Sequence, residues 1–218
     1  MDILSSENGA KFNETEVTTI GWIRLASNYA VTAELLVKLD DEKHQLPADL
    51  LCAHALETSL KGLVHFASDS VEKPKDFGHN TLKAWDAAKR YPIGTSILEK
   101  ADKHIRLFWK NLWRAENMRY EKEIEATGFL TNENAEGFGI WTHSQIGEAL
   151  PKLRDTVEWY GERNDAPNHR FRYPWTGLDY RKRATVGGHH IEIMPMTAII
   201  GSLFLCAEIE RIVRADIK

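Results

Sequence analysis

The sequence predicts an all-α fold: an up-and-down helical bundle with a small β-hairpin near its C-terminus. Three observations carry that expectation. Apolar residues recur at three- and four-residue steps through most of the chain. Proline, glycine and capping residues punctuate those runs at helix-length intervals. Strand-like signals gather around one dipeptide, Gly187-Gly188, which suits a two-residue hairpin.

Residues 1–16 read as a frayed polar tail, and 17–218 as one domain. The first helix is expected over Val17–Leu39, where Trp22, Leu25, Ala26, Tyr29, Ala33, Leu36 and Val37 make a stripe. A charged turn at Asp40–Lys43 ends it, and Pro47 suits the first turn of a second helix reaching Ala67. Pro74 and Gly78 mark a loop. Asn80 or Thr81 then caps a short third helix, which Tyr91-Pro92 stops. A fourth helix runs from Thr95 or Ser96 to about Glu125, burying Ile97, Ala101, Ile105, Phe108, Leu112 and Ala115. Trp109 and Trp113 share a neighbouring face, and a tryptophan pair at helical spacing is more often core than partner surface. A fifth helix falls within Ser144–Tyr160. Arg163–Met194 has no helical period, and strands at Tyr180–Val186 and His189–Ile193 flank the glycine pair. The last helix covers Pro195–Ala215.

Composition sets limits on function. Apolar residues make up 43% and charged residues 28% of 218, an ordinary globular mixture that excludes disorder throughout. Cys52 and Cys206, both in apolar helical runs, form neither a disulfide framework nor a metal knuckle. They read as small buried thiols. The first sixteen residues hold neither a basic nor an apolar leader region. The most apolar run, Ala198–Ala207, is far short of the roughly 20 residues that cross a bilayer. A cytoplasmic protein without a membrane partner is expected. The net charge is −4, but six cations against two acids give Arg163–Arg183 a charge of +4, so the rest carries −8. A basic patch on an acidic body attracts phosphates.

Familiar catalytic signatures are absent. There is no phosphate loop, dinucleotide turn, HExxH or GxSxG. Glu121/Glu123/Glu125 and Glu208/Glu210 have a two-residue spacing that splits them across helix faces. His54 and His65 share a face three turns apart, and His189-His190 alternate on a strand, so neither pair holds one ion. Neither a metal nor a cofactor is expected. One constellation remains: Arg163 and His169, with five residues between them, within the basic segment. An imidazole near neutrality moves protons, and a guanidinium holds phosphate. Those are the two roles that RNA cleavage by its own 2′-hydroxyl requires.

From Cys52 to Ala88 the chain resembles a known pattern. CAHALETSLKGLVHFA carries Ala55, Leu56, Glu57 and, four residues on, Lys61. DFGHNTLKAWDAA carries Gly78, His79, Asn80 and Leu82 at the opening of a helix. Arg172-Tyr173-Pro174 follows later. Together these are similar to the HEPN superfamily, over roughly residues 18–174. The resemblance implies a four-helix core, frequently dimerised. It also implies, for catalytic members, a metal-independent endoribonuclease with an Arg-x(4–6)-His motif. Arg163, Asn164 and His169 fit that motif. Glu57 and Lys61, a favourable i,i+4 pair, are expected to anchor the Arg172 loop, with Gly78 making a turn and Asn80 capping a helix.

Three functional readings follow. The first is a non-catalytic HEPN-like module that binds nucleotide, RNA or a protein partner as a homodimer, with Arg170, Arg172, Arg181, Lys182 and Arg183 as phosphate contacts. The second is a ribonuclease with His169 as acid/base and Arg163 as clamp. The third is a helical scaffold or interaction protein unrelated to nucleic acid.

Overall fold

Thr18 opens the first helix, α1 (Thr19–Lys38), by accepting the Gly21 N–H at 3.1 Å, which satisfies one orphan donor of the first turn. The computed structural model describes residues 18–39, 42–127, 152–164, 183–186 and 189–216. Among these it holds six α-helices. No helix among them is long and apolar enough to cross a membrane.

α1 buries Ile23, Ala26, Ala30 and Ala33. Three alanines at helical spacing let its backbone lie close to α2 (Glu42–Ala67). The approach is tightest at Gly62, where an added Cβ would meet Trp22 Cβ and Ile23 Cγ2 at 3.2 Å. α2 begins five residues before the expected Pro47. Pro47 is the sixth residue of the helix, so α2 forgoes there the bond to the Lys43 carbonyl. α2 supplies the centre of the core with Leu56, Leu60, Leu63 and Val64, all fully buried.

A 3₁₀ turn (Pro74–Phe77) leads into α3 (Thr81–Lys89), which Asn80 caps by accepting the Lys83 N–H at 2.8 Å. Glu72, just before that turn, accepts from Arg90 at 3.1 Å and from Tyr91 at 3.2 Å, tying the loop to the end of α3. α4 (Pro92–Thr127) starts at Pro92 rather than at Thr95 or Ser96. A proline lacks the N–H that a first helical residue leaves unbonded, so the residue that stops α3 also starts α4.

Two expectations for α4 are corrected. Its buried face follows Ile97, Ala101, Ile105 and Trp109, whereas Phe108 is half-buried and Ala115 exposed. Trp109 turns inward because its indole N–H donates to the Thr197 hydroxyl at 3.1 Å on the last helix.

α5 (Leu153–Asn164) is opened by acids from two places. Asp155 accepts the Lys152 N–H at 3.0 Å, and Asp102 of α4 accepts the Leu153 N–H at 2.7 Å. α5 runs through Gly161 to Asn164, beyond the expected end at Tyr160. Gly161 is where α3 comes closest: its missing Cβ would sit 2.9 Å from Thr81 Oγ1, which itself donates to the Val157 carbonyl at 3.2 Å. Gly161→Ala is therefore expected to cost about 1–3 kcal/mol, read as a shifted midpoint in urea. An unchanged midpoint would show that α3 and α5 are not in this contact.

Arg183–Val186 (β1) and His189–Glu192 (β2) pair antiparallel, with Arg183 opposite Glu192 and Val186 opposite His189. α6 (Ile193–Asp216) follows directly. α1, α2 and α6 contact one another pairwise, α4 and α5 lie against α6, and α3 joins α2, α4 and α5. Tyr160, Leu153 and Val157 of α5 meet Ile199, Leu205 and Ile209 of α6 in the same core. Cys52 and Cys206 are both buried thiols outside any disulfide, and burial pushes the Cys206 thiol up to about 11. On the outer face of α6, Glu208 bonds Arg211 at 2.8 Å and Lys100 at 2.7 Å. Those two cations hold its carboxyl down to about 2. Glu210 pairs with Arg214.

Candidate functional site

α2 carries His54, Glu57 and Lys61 at three- and four-residue steps, which puts them on one face. Glu57 and Lys61 are only 5% and 7% exposed, deep for charged residues. The Lys61 ammonium donates to Glu57 Oε1 at 2.6 Å. The other carboxylate oxygen, Oε2, lies 3.1 Å from His79 Nδ1 and 3.9 Å from His54 Nδ1. A carboxylate only accepts, so the first contact sets the proton of His79 on Nδ1.

His79 reaches Glu57 because of its neighbours in sequence. Gly78 has φ +54°, a left-handed conformation that a side chain would strain. Asn80 then commits the chain to α3. The turn between them presents His79 back toward α2.

Rings complete the cluster. His54 and His79 meet edge-on with centroids 6.4 Å apart, and Tyr29 of α1 lies 5.5 Å from His54. Lys61 Nζ sits over the Trp22 ring, 5.7 Å from its centroid, within cation–π range. The charged pair is thus closed off from water, while His54 and His79 remain partly open, with 31% and 44% of their side-chain surface exposed. Two imidazoles at the surface, backed by a carboxylate and an ammonium and bordered by aromatic rings, can hydrogen-bond an incoming polar ligand and stack against a flat one.

The residues predicted from sequence fall into two groups. Glu57, Lys61, Gly78, His79 and Asn80 come together in this cluster. Arg163 and Asn164 form the end of α5, so Arg163 stands on a helix and not within a stretch lacking helical period; its side chain, like that of Arg183 on β1, lies outside the described residues, as do His169, Arg170, Arg172, Tyr173, Pro174, Arg181 and Lys182. The expected Glu57–Arg172 anchor therefore falls outside the description as well. Among the described residues no group of three or more His, Cys, Asp or Glu side chains is placed to hold a metal ion.

Sequence reasoning missed three members: Trp22, Tyr29 and His54. A usable signal existed for His54, which precedes Glu57 by three residues and so shares its helix face. It was weighed only against His65, whose Nδ1 instead contacts Thr19 Oγ1 at 2.8 Å. No protein-family model matches this chain, and neither does any curated protein or solved structure.

Proposed function

We propose that this chain is a HEPN-like helical module that binds nucleotide or RNA without cutting it, and that it acts as a homodimer. One observation carries the reading: a single buried carboxylate, Glu57, gathers Lys61 and His79, two of the residues on which the family resemblance rests. The cluster they form offers imidazoles for phosphate oxygens and the Tyr29 ring for a base. The basic run from Arg163 to Arg183, including Arg170, Arg172, Arg181 and Lys182, adds sequence-independent attraction for a nucleic-acid backbone. The homodimer is supported by exposed apolar side chains on α1 and at the start of α2: Leu25, Val31, Leu35, Leu39 and Leu46. Charges placed there by Val31→Glu with Leu35→Glu are expected to give a monomer by light scattering. A wild-type protein that is already monomeric at micromolar concentration defeats the dimer.

A second reading, the metal-independent ribonuclease, is favoured by one feature. α5 extends through Asn164, so Arg163 sits at a helix end, with five residues between it and His169 in the basic segment. Incubation of labelled single-stranded RNA in EDTA separates the readings. Binding by fluorescence anisotropy, weakening steeply with salt and leaving the RNA intact, is the expected result. Cleavage that disappears in His169→Ala would replace it with the nuclease. No binding at low salt would leave a scaffold protein.

A further inference from the structure

α4 departs from the other helices in how it places its charges. Elsewhere, cations and acids sit four residues apart and pair: Glu34 with Lys38, Glu57 with Lys61, Arg154 with Glu158, Glu210 with Arg214. Such pairs support a helix, and like charges at the same spacing weaken it. On α4, Lys103 is followed three residues on by Arg106, then at two four-residue steps by Lys110 and Arg114. Along that row every neighbour of a cation is another cation. No acid stands between Lys103 and Arg114, so the stretch carries +4, as much as the whole of Arg163–Arg183.

The row lies opposite the buried face of α4. Ile97, Ala101, Ile105 and Trp109 are in the core, whereas Lys103, Arg106, Lys110 and Arg114 are all exposed. None of the four joins an ion pair among the described residues. Of the nearest acids, Asp102 is taken by the Leu153 N–H at 2.7 Å, and Glu99 can at most offset Lys103 at the start of the row. Folding therefore leaves a ridge of cations roughly 16 Å long. Solubility alone is served by charges of mixed sign. A row of one sign, placed against the helix's own interest, suits an anion outside the chain.

Two observations choose the partner. β1 begins at Arg183, the last cation of the basic segment, and lies against α4. The second positive stretch thus ends on the helix that carries the first, and an extended polyanion matches charge of that reach. His104 stands next to Lys103, exposed, with its ring held against Phe204, centroids 4.7 Å apart and planes tilted by 29°. A flat ring beside a row of cations is what an unstacked base meets in single-strand recognition. We infer that this face of α4 is a track for the phosphates of single-stranded RNA, with His104 as a stacking platform. The inference rests on the RNA-binding reading and puts the backbone on α4 rather than at the Glu57 cluster.

The experiment follows a short labelled single-stranded RNA by fluorescence anisotropy as salt is raised. Arg106→Gln with Lys110→Gln removes two cations from the row. Lys83→Gln with Lys89→Gln removes two exposed cations from α3 and is the control of equal charge. The α4 double variant is expected to bind about tenfold more weakly at low salt. It should also flatten the slope of log affinity against log salt by about 1.4, since each phosphate contact on a single strand contributes about 0.7. The α3 double variant should stay within about twofold of wild type. Glutamine is a good helix former and the α4 substitutions relieve like-charge neighbours, so that variant should melt at or above the wild-type temperature. His104→Ala should weaken binding several-fold and leave the slope alone, because stacking on a ring releases no counterions.

Equal affinity and slope in wild type and the α4 double variant overturn the track and spare the binding module, which then holds RNA elsewhere. Wild-type protein that binds no RNA at low salt defeats the module and the track with it. Polyglutamate that displaces the RNA at equal charge makes the partner an acidic protein and overturns the inference. Duplex RNA bound as tightly as the single strand overturns it as well.

Discussion

Glu57→Ala is expected to lower the melting temperature by about 10 °C, the largest effect of any single substitution in the cluster. The carboxylate is buried and answers the Lys61 ammonium at 2.6 Å. Removing one member of a buried ion pair leaves an uncompensated charge, at about 3–5 kcal/mol. In a chain of this size each kcal/mol moves the midpoint by about 2–4 °C. The loss arises from desolvation and not from the bond alone, so the double substitution Glu57→Ala with Lys61→Met should recover most of it, since apolar replacement of a buried pair is close to neutral. Glu57→Gln should fall between, because it keeps shape and one acceptor but not charge. Thermal melts followed by circular dichroism decide the matter. If Glu57→Ala melts within about 2 °C of wild type, less than a kcal/mol by the same conversion, the pair is not buried as described.

Trp109→Ala should weaken the fold comparably, by about 3–5 kcal/mol, the range for emptying a buried aromatic site. Trp109 is 3% exposed and crosses from α4 to the Thr197 hydroxyl of α6, itself fully buried. Trp109→Phe separates the two contributions. The ring volume is largely kept and the hydrogen bond lost, so about 1 kcal/mol is expected from the bond, plus the smaller volume change. Urea midpoints monitored by far-ultraviolet circular dichroism provide the measurement. Equal midpoints for the Ala and Phe variants would mean that volume plays no part and that α4 does not seal this side of the core.

The helices were legible because their signals are local. Period alone marked α1, α2 and α6, and Asn80 was readable as a cap from its place before Thr81. Boundaries failed where the deciding contact came from elsewhere in the chain. α5 was expected to end by Tyr160, since Gly161 is a poor helix former, but Thr81 of α3 needs the space that glycine leaves. Its start is set in part by Asp102, fifty-one residues away. Trp109 was legible as a core residue from its spacing with Trp113, but not its partner, the Thr197 hydroxyl on α6.

The site divides the same way. Glu57 and Lys61 could be paired on spacing alone, because residues four apart on a helix are neighbours. Nothing in the spacing said that the pair would be buried, or that His79, twenty-two residues on, would take the second carboxylate oxygen. The sequence by itself determined an all-α chain, the run of its main helices and the one i,i+4 ion pair at the heart of the cluster, since each follows from residues within a few turns of one another. Only the tertiary structure decided which helix faces meet, that Trp22 and Tyr29 of α1 border that pair, and that the pair is buried, because burial and long-range hydrogen bonds depend on how separate helices approach, which no local pattern encodes.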